Sequence, residues 1–232
     1  KSGKERINIL LAGIAGKGKP GQYLTDTLII VSANIKTGRV SMLSIPRDLY
    51  TQIPENIRVG TKINSVYQYG LRAYPDNPAR AVQPLLDTVK NITSLPIDYY
   101  AILNFDGFEK IIDTIGGIHI TNERDIYDAR YPGPNYSYET FELKNGFHLL
   151  DGHTALKYAR ERHDDPEGDF GRAKRQQQII QVTKNRIFSA ATFLDVFALN
   201  TLLDTLGENI QTNIAPEEIG DRGQQLSLGH AA

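Results

Sequence analysis

The stretch LKYARERHDDPEGDFGRAKRQQQII, residues 156–180, sets six cations and five acids in one short block. A helix is expected to open at Phe170 or Gly171 with Asp169 as its N-cap, which puts Arg172 in the first turn and Arg175 just behind it. Positive charge is disfavoured there, because the free backbone N–H groups and the macrodipole are already positive. The arrangement therefore calls for an offsetting anion. Arg172 and Gln176 lie four apart and share a helical face. Upstream, Arg160 and Arg162 are two apart, which aims both to one side of an extended segment but splits them by about 200° on a helix. The extended form is expected, since the helical pattern fades after Ala159 and Pro166 follows. Arginine presents a planar fork that takes phosphate oxygens in pairs, and a helix N-terminus adds N–H donors. The block suits the grip of a phosphate-rich anion. A competing reading is internal: Glu161, Asp164, Asp165, Glu167 and Asp169 can neutralise the same cations on a solvated surface.

A second set gathers around two apolar runs. Asp26 heads one of them in LTDTLIIVSAN, and Arg47 and Asp48 close the next in SIPRD. In an antiparallel pair the start of one strand lies level with the end of the other, so Asp26 and Arg47 are expected to be neighbours. A carboxylate beside phosphate-binding arginines suits Mg2+, a hard cation that takes oxygen ligands and often shares them with substrate phosphate. The plain alternative is that Asp26 caps the turn and pairs with Arg47. Asp48, Lys62 of KINSVYQYG and Arg175 are accessory candidates, Asp48 as a base for an attacking hydroxyl. The loop GIAGKGKPGQ offers glycines and two lysines to phosphate, but it has no GK[ST] opening a helix and reads equally as a surface loop.

Composition narrows the field. The 232 residues are 40% hydrophobic and 23% charged with a formal net charge of -1, so no broad basic footprint for nucleic acid exists. The absence of Cys excludes thiol catalysis, disulfides and Cys-ligated zinc. No HExxH and no GxSxG occurs, and His119 reads as a structural strand residue. No apolar run is long enough to span a bilayer. The opening KSGKER has the look of a processed or trimmed fragment.

The elements that must carry these residues alternate. INILLAGI (7–14), DTLIIVSAN (26–34), RVSMLSI (39–45) and DYYAILNF (98–105) read as strands, the second and third as a hairpin. KINSVYQYG reads as irregular. Residues 79–93 have helical spacing with Pro84 disturbing the first turn, and 106–117 form a helix capped by Asp106 and ended by glycines. IHI is a short strand, and the tyrosine-rich 121–147 reads as a functional loop or lid. LDGHTALKYA is a helix capped by Asp151; further helices run to about Phe188, over 191–210 and after Ala215. Such alternation gives an α/β sandwich around a mixed sheet.

Together TDTLIIVSANIKTGRVSMLSIPRDLY, KINSVYQYG, IDYYAILNFDGFEKIIDTIGGIHI, GFHLLDGHTALKYARERH and DFGRAKRQQQII, in order over about residues 7–185, resemble the LytR–CpsA–Psr family of bacterial cell-wall enzymes. Residues 191–232 carry less of the likeness. The resemblance implies a single extracytoplasmic catalytic domain over 1–232, folded as a three-layer α/β/α sandwich around a mixed sheet and tethered to the membrane by an N-terminal anchor outside this sequence. It implies a phosphotransferase that moves a glycopolymer, such as teichoic acid or capsular polysaccharide, from a polyprenyl-pyrophosphate carrier onto peptidoglycan, assisted by Mg2+. Hydrolysis of the same donor, or non-catalytic binding of the lipid phosphate, would use the same residues. By motif, Asp26 matches the metal-associated aspartate. Arg47, Arg160, Arg162 and Arg172 match catalytic, pyrophosphate-contacting arginines, and Gln176 a pyrophosphate-contacting glutamine. The carrier's tail is expected in an apolar tunnel; Leu103, Phe105, Phe108 and Ile112 are candidates for it, although core packing also explains them. One departure stands out: Ala15 follows Gly13-Ile14 where many relatives carry an aspartate.

Overall fold

A computed structural model describes residues 4–54, 60–133, 137–187 and 206–214. The chain divides into two compact units, Lys1–Asp106 with Gly207–Ala232, and Gly107–Leu206.

The first unit runs β1 (Arg6–Ile14), β2 (Thr27–Asn34), β3 (Val40–Ser44), β4 (Tyr50–Gln52), β5 (Gly60–Lys62), α1 (Val66–Ala73), α2 (Pro78–Ala81), α3 (Gln83–Thr93) and β6 (Tyr99–Asn104). α4 (Phe105–Thr114) opens at its edge. The second unit continues with β7 (Ile118–Asn122), β8 (Ile126–Pro132), β9 (Tyr138–Leu143), β10 (Gly146–Leu150), α5 (Gly152–Arg160) and α6 (Asp169–Ile187); β11 (Ile210–Thr212) then returns to the first.

Among the described residues the first unit holds a five-stranded sheet in the order β11-β6-β1-β2-β3. β1 is parallel to β6, and the other pairs are antiparallel, so the sheet is mixed and the fold is α/β as expected. Period-2 alternation along β1 buries Asn8, Leu10, Ala12 and Ile14 on one face. Leu28, Ile30, Tyr100 and Ile102 complete that face, and Val66, Tyr67, Val82, Leu85 and Val89 from α1 to α3 cover it. Each such aliphatic side chain contributes about 1.5–3 kcal/mol by leaving water. The buried Asn8 and Asp98 satisfy one another's surroundings: Asn8 N–H donates to Asp98 Oδ2 at 3.0 Å, and Lys4 pairs with the same carboxylate.

Two expectations change here. KINSVYQYG is a 3₁₀ turn (Ile63–Ser65) followed by α1, because Val66, Tyr67 and Gly70 form one inward stripe at helical spacing. Gly70 lies so close to the Ala81 carbonyl that no Cβ fits between them. Pro84 does not abolish α3 but starts it: the helix breaks at Val82 and restarts with Pro84 in its first turn, where no N–H is needed.

In the second unit Ile112, Ile118, Ile120, Ile126, Tyr131, Phe141, Leu143, Leu150, Tyr158 and Ile179 share one core. Residues 121–147 are therefore not a lid. They form two antiparallel pairs, β7 with β10 and β8 with β9, whose alternate residues supply that core. Phe108 packs against this core and Ile112 is inside it, which accounts for both by packing; Leu103 and Phe105 are half-buried in the first unit. α4 begins one residue earlier than expected, so Asp106 sits in its first turn rather than at its cap, paired with Lys19. Asp151 caps α5 as expected, accepting from Thr154 N–H at 2.8 Å. The helices expected over 191–210 and after Ala215 lie almost wholly outside the described residues.

Candidate functional site

The sequence-derived residues fall into two sets, one in each unit. In the first unit the β2–β3 register carries on past its last pair, with Ile45 N–H donating to Leu28 O at 2.8 Å, so the start of β2 meets the end of β3. Asp26 and Arg47 are thereby brought together, Arg47 Nη1 donating to Asp26 Oδ1 at 2.9 Å. Arg47 Nε lies 3.7 Å from Asp48, and Asp48 accepts from Lys62 Nζ at 2.5 Å. Asp26, Arg47, Asp48 and Lys62 thus form one alternating chain of charges. Arg47 is its least exposed member, its side chain 18% accessible against 38% for Asp26. Sequence reasoning passed over Asn64 as a scaffold. Its N–H donates to Arg47 O at 3.2 Å and its carbonyl accepts from Thr25 N–H at 2.9 Å, which ties the loop before β2 to the loop after β3. The glycine-rich loop is an ordered turn, closed by Gly16 N–H to Gln22 O at 2.9 Å and Gly18 N–H to Gln22 Oε1 at 3.0 Å.

Ala15 is buried at 5% exposure, so the place where many relatives carry an aspartate holds only a methyl group. Among the described residues no group of three or more His, Asp or Glu side chains is placed to hold a metal ion. The donor set still fits magnesium of one kind: Asp26 spends one carboxylate oxygen on Arg47, leaving the other for a cation whose remaining ligands are water and phosphate oxygens.

The second set lies where α5 ends and α6 begins. α5 closes at Arg160, and Glu161 leaves it in an extended conformation (φ −56°, ψ 136°). The expected extended pair is thus half met: Arg160 is the last helical residue and Arg162 lies beyond the break. Arg160 is half-buried, its guanidinium 5.6 Å from the Tyr131 ring centroid; Arg162 is exposed. Asp169 is not the N-cap of α6 but its first residue. Gly168, at φ +55°, precedes it and accepts the first helical bond from Arg172 N–H at 3.1 Å.

The internal reading of this block holds for part of it. Asp169 accepts from Arg172 Nη2 at 3.1 Å, Lys174 pairs with Glu167 at 2.6 Å, and Arg175 pairs with Asp165. The Asp165 carboxylate sits against Gly171 in the first turn of α6, in space that a Cβ would occupy. One anion required by that helix end is therefore supplied by the chain itself. Burial alone would raise the Asp165 carboxyl, but the hydrogen bonds from Arg175 and Glu167 N–H and the charges of Arg175 and Arg124 hold it below the ordinary value.

A second negative partner was not anticipated. Arg175 Nε donates to Tyr158 O at 3.0 Å, and its Nη2 to Glu161 O; Gln176 Nε2 donates to Ala159 O at 3.2 Å. These are carbonyls of the last turn of α5, which has no intrahelical donors left for them and carries the negative end of the dipole. Arg175 is therefore a capping residue. Gln176 belongs partly to the same cap; Arg172 lies one turn earlier on the same face of α6 and pairs with Asp169. Arg124 also went unnoticed; its Nη1 donates to Asp164 O at 2.8 Å and fixes the connection between the helices.

These observations define an α/β protein with several arginines near the junction of two helices in one unit and a further arginine paired with an aspartate in the other. The LytR_cpsA_psr family pattern matches residues 1–231, and the chain belongs to that family. A relative in Halalkalibacterium halodurans, named polyisoprenyl-teichoic acid–peptidoglycan teichoic acid transferase TagU, is 34% identical over 215 residues, which is 92% of this chain and 62% of the relative. The chain thus spans less than two thirds of that curated relative. Among solved structures, Bacillus subtilis TagV superposes with a TM-score of 0.74 at 31% identity, covering 97% of this chain and 80% of TagV. A structure described as TagT bound to LI-WTA superposes at 0.71 with 25% identity, covering 97% of this chain and 75% of TagT.

Proposed function

We propose that the chain is a phosphotransferase that moves a glycopolymer from a polyprenyl-pyrophosphate carrier onto peptidoglycan at the outer face of the bacterial membrane, within one catalytic domain. The observation that supports it most directly is the placement of Arg160 at the end of α5, Arg172 near the start of α6 and Gln176 against the Ala159 carbonyl, in a family whose members include named teichoic acid transferases. In the first unit Arg47 pairs with Asp26.

A hydroxyl oxygen of the acceptor sugar bonds to the phosphorus that carries the glycan. The bridging P–O bond breaks, polyprenyl phosphate leaves with the electron pair, and the hydroxyl proton passes to solvent or to a nearby carboxylate such as Asp48. Such a transfer needs positioning and charge neutralisation more than covalent help. Arg160, Arg162 and Arg172 hold the diphosphate oxygens, and Gln176 adds a neutral donor. Asp26 would hold a magnesium ion, which would supply charge neutralisation to phosphate oxygens; Lys62 keeps Asp48 in place.

The test is transfer from a polyprenyl-diphosphate-linked glycan to peptidoglycan fragments, followed by mass spectrometry. Arg160→Ala and Arg172→Ala are expected to reduce product at least a hundredfold while circular dichroism stays unchanged, and Asp26→Ala to flatten the response to added magnesium. Full turnover by a folded Arg172→Ala protein overturns the assignment. Release of free glycan phosphate without acceptor marks a hydrolase instead.

A further inference from the structure

Glu161 stands between the two arginines and is 1% exposed, one of the most buried side chains of the described residues. Its N–H donates to Lys157 O at 3.0 Å and closes α5; its carbonyl accepts from Arg175. In the side chain, Oε1 accepts from Asp164 N–H at 3.0 Å, while Oε2 is buried with no donor. The group facing it is Asp128 of β8, 4% exposed and within hydrogen-bond reach of the Glu161 carboxyl. Asp128 already accepts from Arg130 N–H at 2.8 Å and contacts His163 Nδ1 at 2.9 Å. A buried acceptor without a donor is costly, and two facing carboxylates in a dry site resist joint ionisation. A single proton on Glu161 Oε2, donated to Asp128, removes both problems.

We propose that Glu161, joined to Asp128 through one shared proton, is the positioning residue that sets Arg160 and Arg162. All of its polar atoms are then engaged, so the backbone between the two arginines is pinned inward, with Arg160 over the Tyr131 ring and Arg162 exposed. The inference rests on the reading of those arginines as diphosphate-binding groups. Burial first, and the facing Asp128 next, push the Glu161 carboxyl above its ordinary value. The charged and titratable groups around the pair are Tyr131 on β8, Glu139 on β9 with its partner Lys157, Arg175 on α6, and Arg160 and His163 beside Glu161 itself. Tyr131 is pushed up to about 12 by burial, so it remains a neutral phenol under the Arg160 guanidinium. Loss of the shared proton puts two negative charges behind the arginines; these repel one another, loosen the anchor and draw Arg160 inward.

The experiment measures binding of farnesyl diphosphate from pH 5 to 9 to the wild type, Glu161→Gln and Glu161→Ala, with the Glu161 carboxyl followed by carbon-13 NMR in the wild type. The glutamine retains a donor for Asp128 and an acceptor for Asp164 without titrating. Relative to Glu161→Gln, the wild type is expected to weaken at least fivefold as pH rises, and Glu161→Ala is expected to be weaker at every pH. The Glu161 resonance is expected to titrate above the range of an exposed glutamate. Parallel pH profiles for wild type and Glu161→Gln, or a Glu161 resonance that titrates like a solvent carboxyl, overturn the inference alone, whether or not Glu161→Ala folds. Failure of the wild type to bind the diphosphate at any pH removes the phosphate reading and, with it, the positioning role.

Discussion

Arg175 and Arg172 are three residues apart on one helix, yet their surroundings divide their roles. Arg175 gives its guanidinium to two carbonyls at the end of α5 and to Asp165, all within the fold, so its contribution is structural. Truncating it leaves the buried Asp165 carboxylate and the α5 carbonyls without donors, a loss on the order of 3–5 kcal/mol. Arg175→Ala is expected to lower the melting temperature sharply in a thermal scan. Arg175→Lys should recover little of it, because an ammonium cannot reach three acceptors with a planar fork. Arg172 pairs with the carboxylate of Asp169, which is 38% exposed. Types and spacing made both arginines visible in the sequence. They gave no way to tell the cap from the binding group, since that depends on which carbonyls α6 meets.

At the scale of elements, the strands were legible because their periodicity is short and local. β1, β2, β3 and β6 lie within a residue or two of expectation, and the β2–β3 hairpin delivered Asp26 to Arg47 as its register required. α1 was missed because its helical stripe of Val66, Tyr67 and Gly70 is brief and includes a glycine, a weak local helix former. That glycine is explained by its neighbour: Gly70 permits the close approach of the Ala81 carbonyl. Gly70→Ala should favour α1 by propensity yet destabilise the protein, because overpacking at such a contact costs about 1–3 kcal/mol. Urea denaturation is expected to show a lower midpoint, and a raised midpoint would contradict the packing. The 121–147 segment was misjudged for the opposite reason. Its buried Ile126, Tyr131, Phe141 and Leu143 are separated by exposed residues, so composition resembled a loop while alternation built the β8–β9 hairpin, enclosed by the β7–β10 pair.

Among the described residues the acids with shifted titration are unevenly distributed. Asp128, Asp151 and Asp165 are held below the ordinary carboxyl value, and all belong to residues 107–206. For Asp128 and Asp165 burial opposes the shift; hydrogen bonds from His163 and Arg130 N–H, and from Arg175 and Glu167 N–H, outweigh it. For Asp151 the Thr154 hydrogen bonds lead. A depressed native pKa contributes stability that is complete above the unfolded value and is lost as pH falls through the native one. Glu161 has the opposite sign, and its contribution is lost as pH rises above the ordinary glutamate range. Hydrogen exchange is expected to show amides of 107–206 losing protection below pH 4 before those of the five-stranded sheet, and simultaneous loss in both units would refute this. The sequence by itself determined the α/β class, the ordered family motifs and the arginine, aspartate and glutamine types on which any phosphate chemistry depends. Those follow from local periodicity and residue chemistry. Only the tertiary structure decided that Asp165 fills the start of α6, that Arg175 caps α5, and that Glu161 faces Asp128. Each depends on the through-space meeting of groups between 6 and 33 positions apart, and no local pattern encodes that.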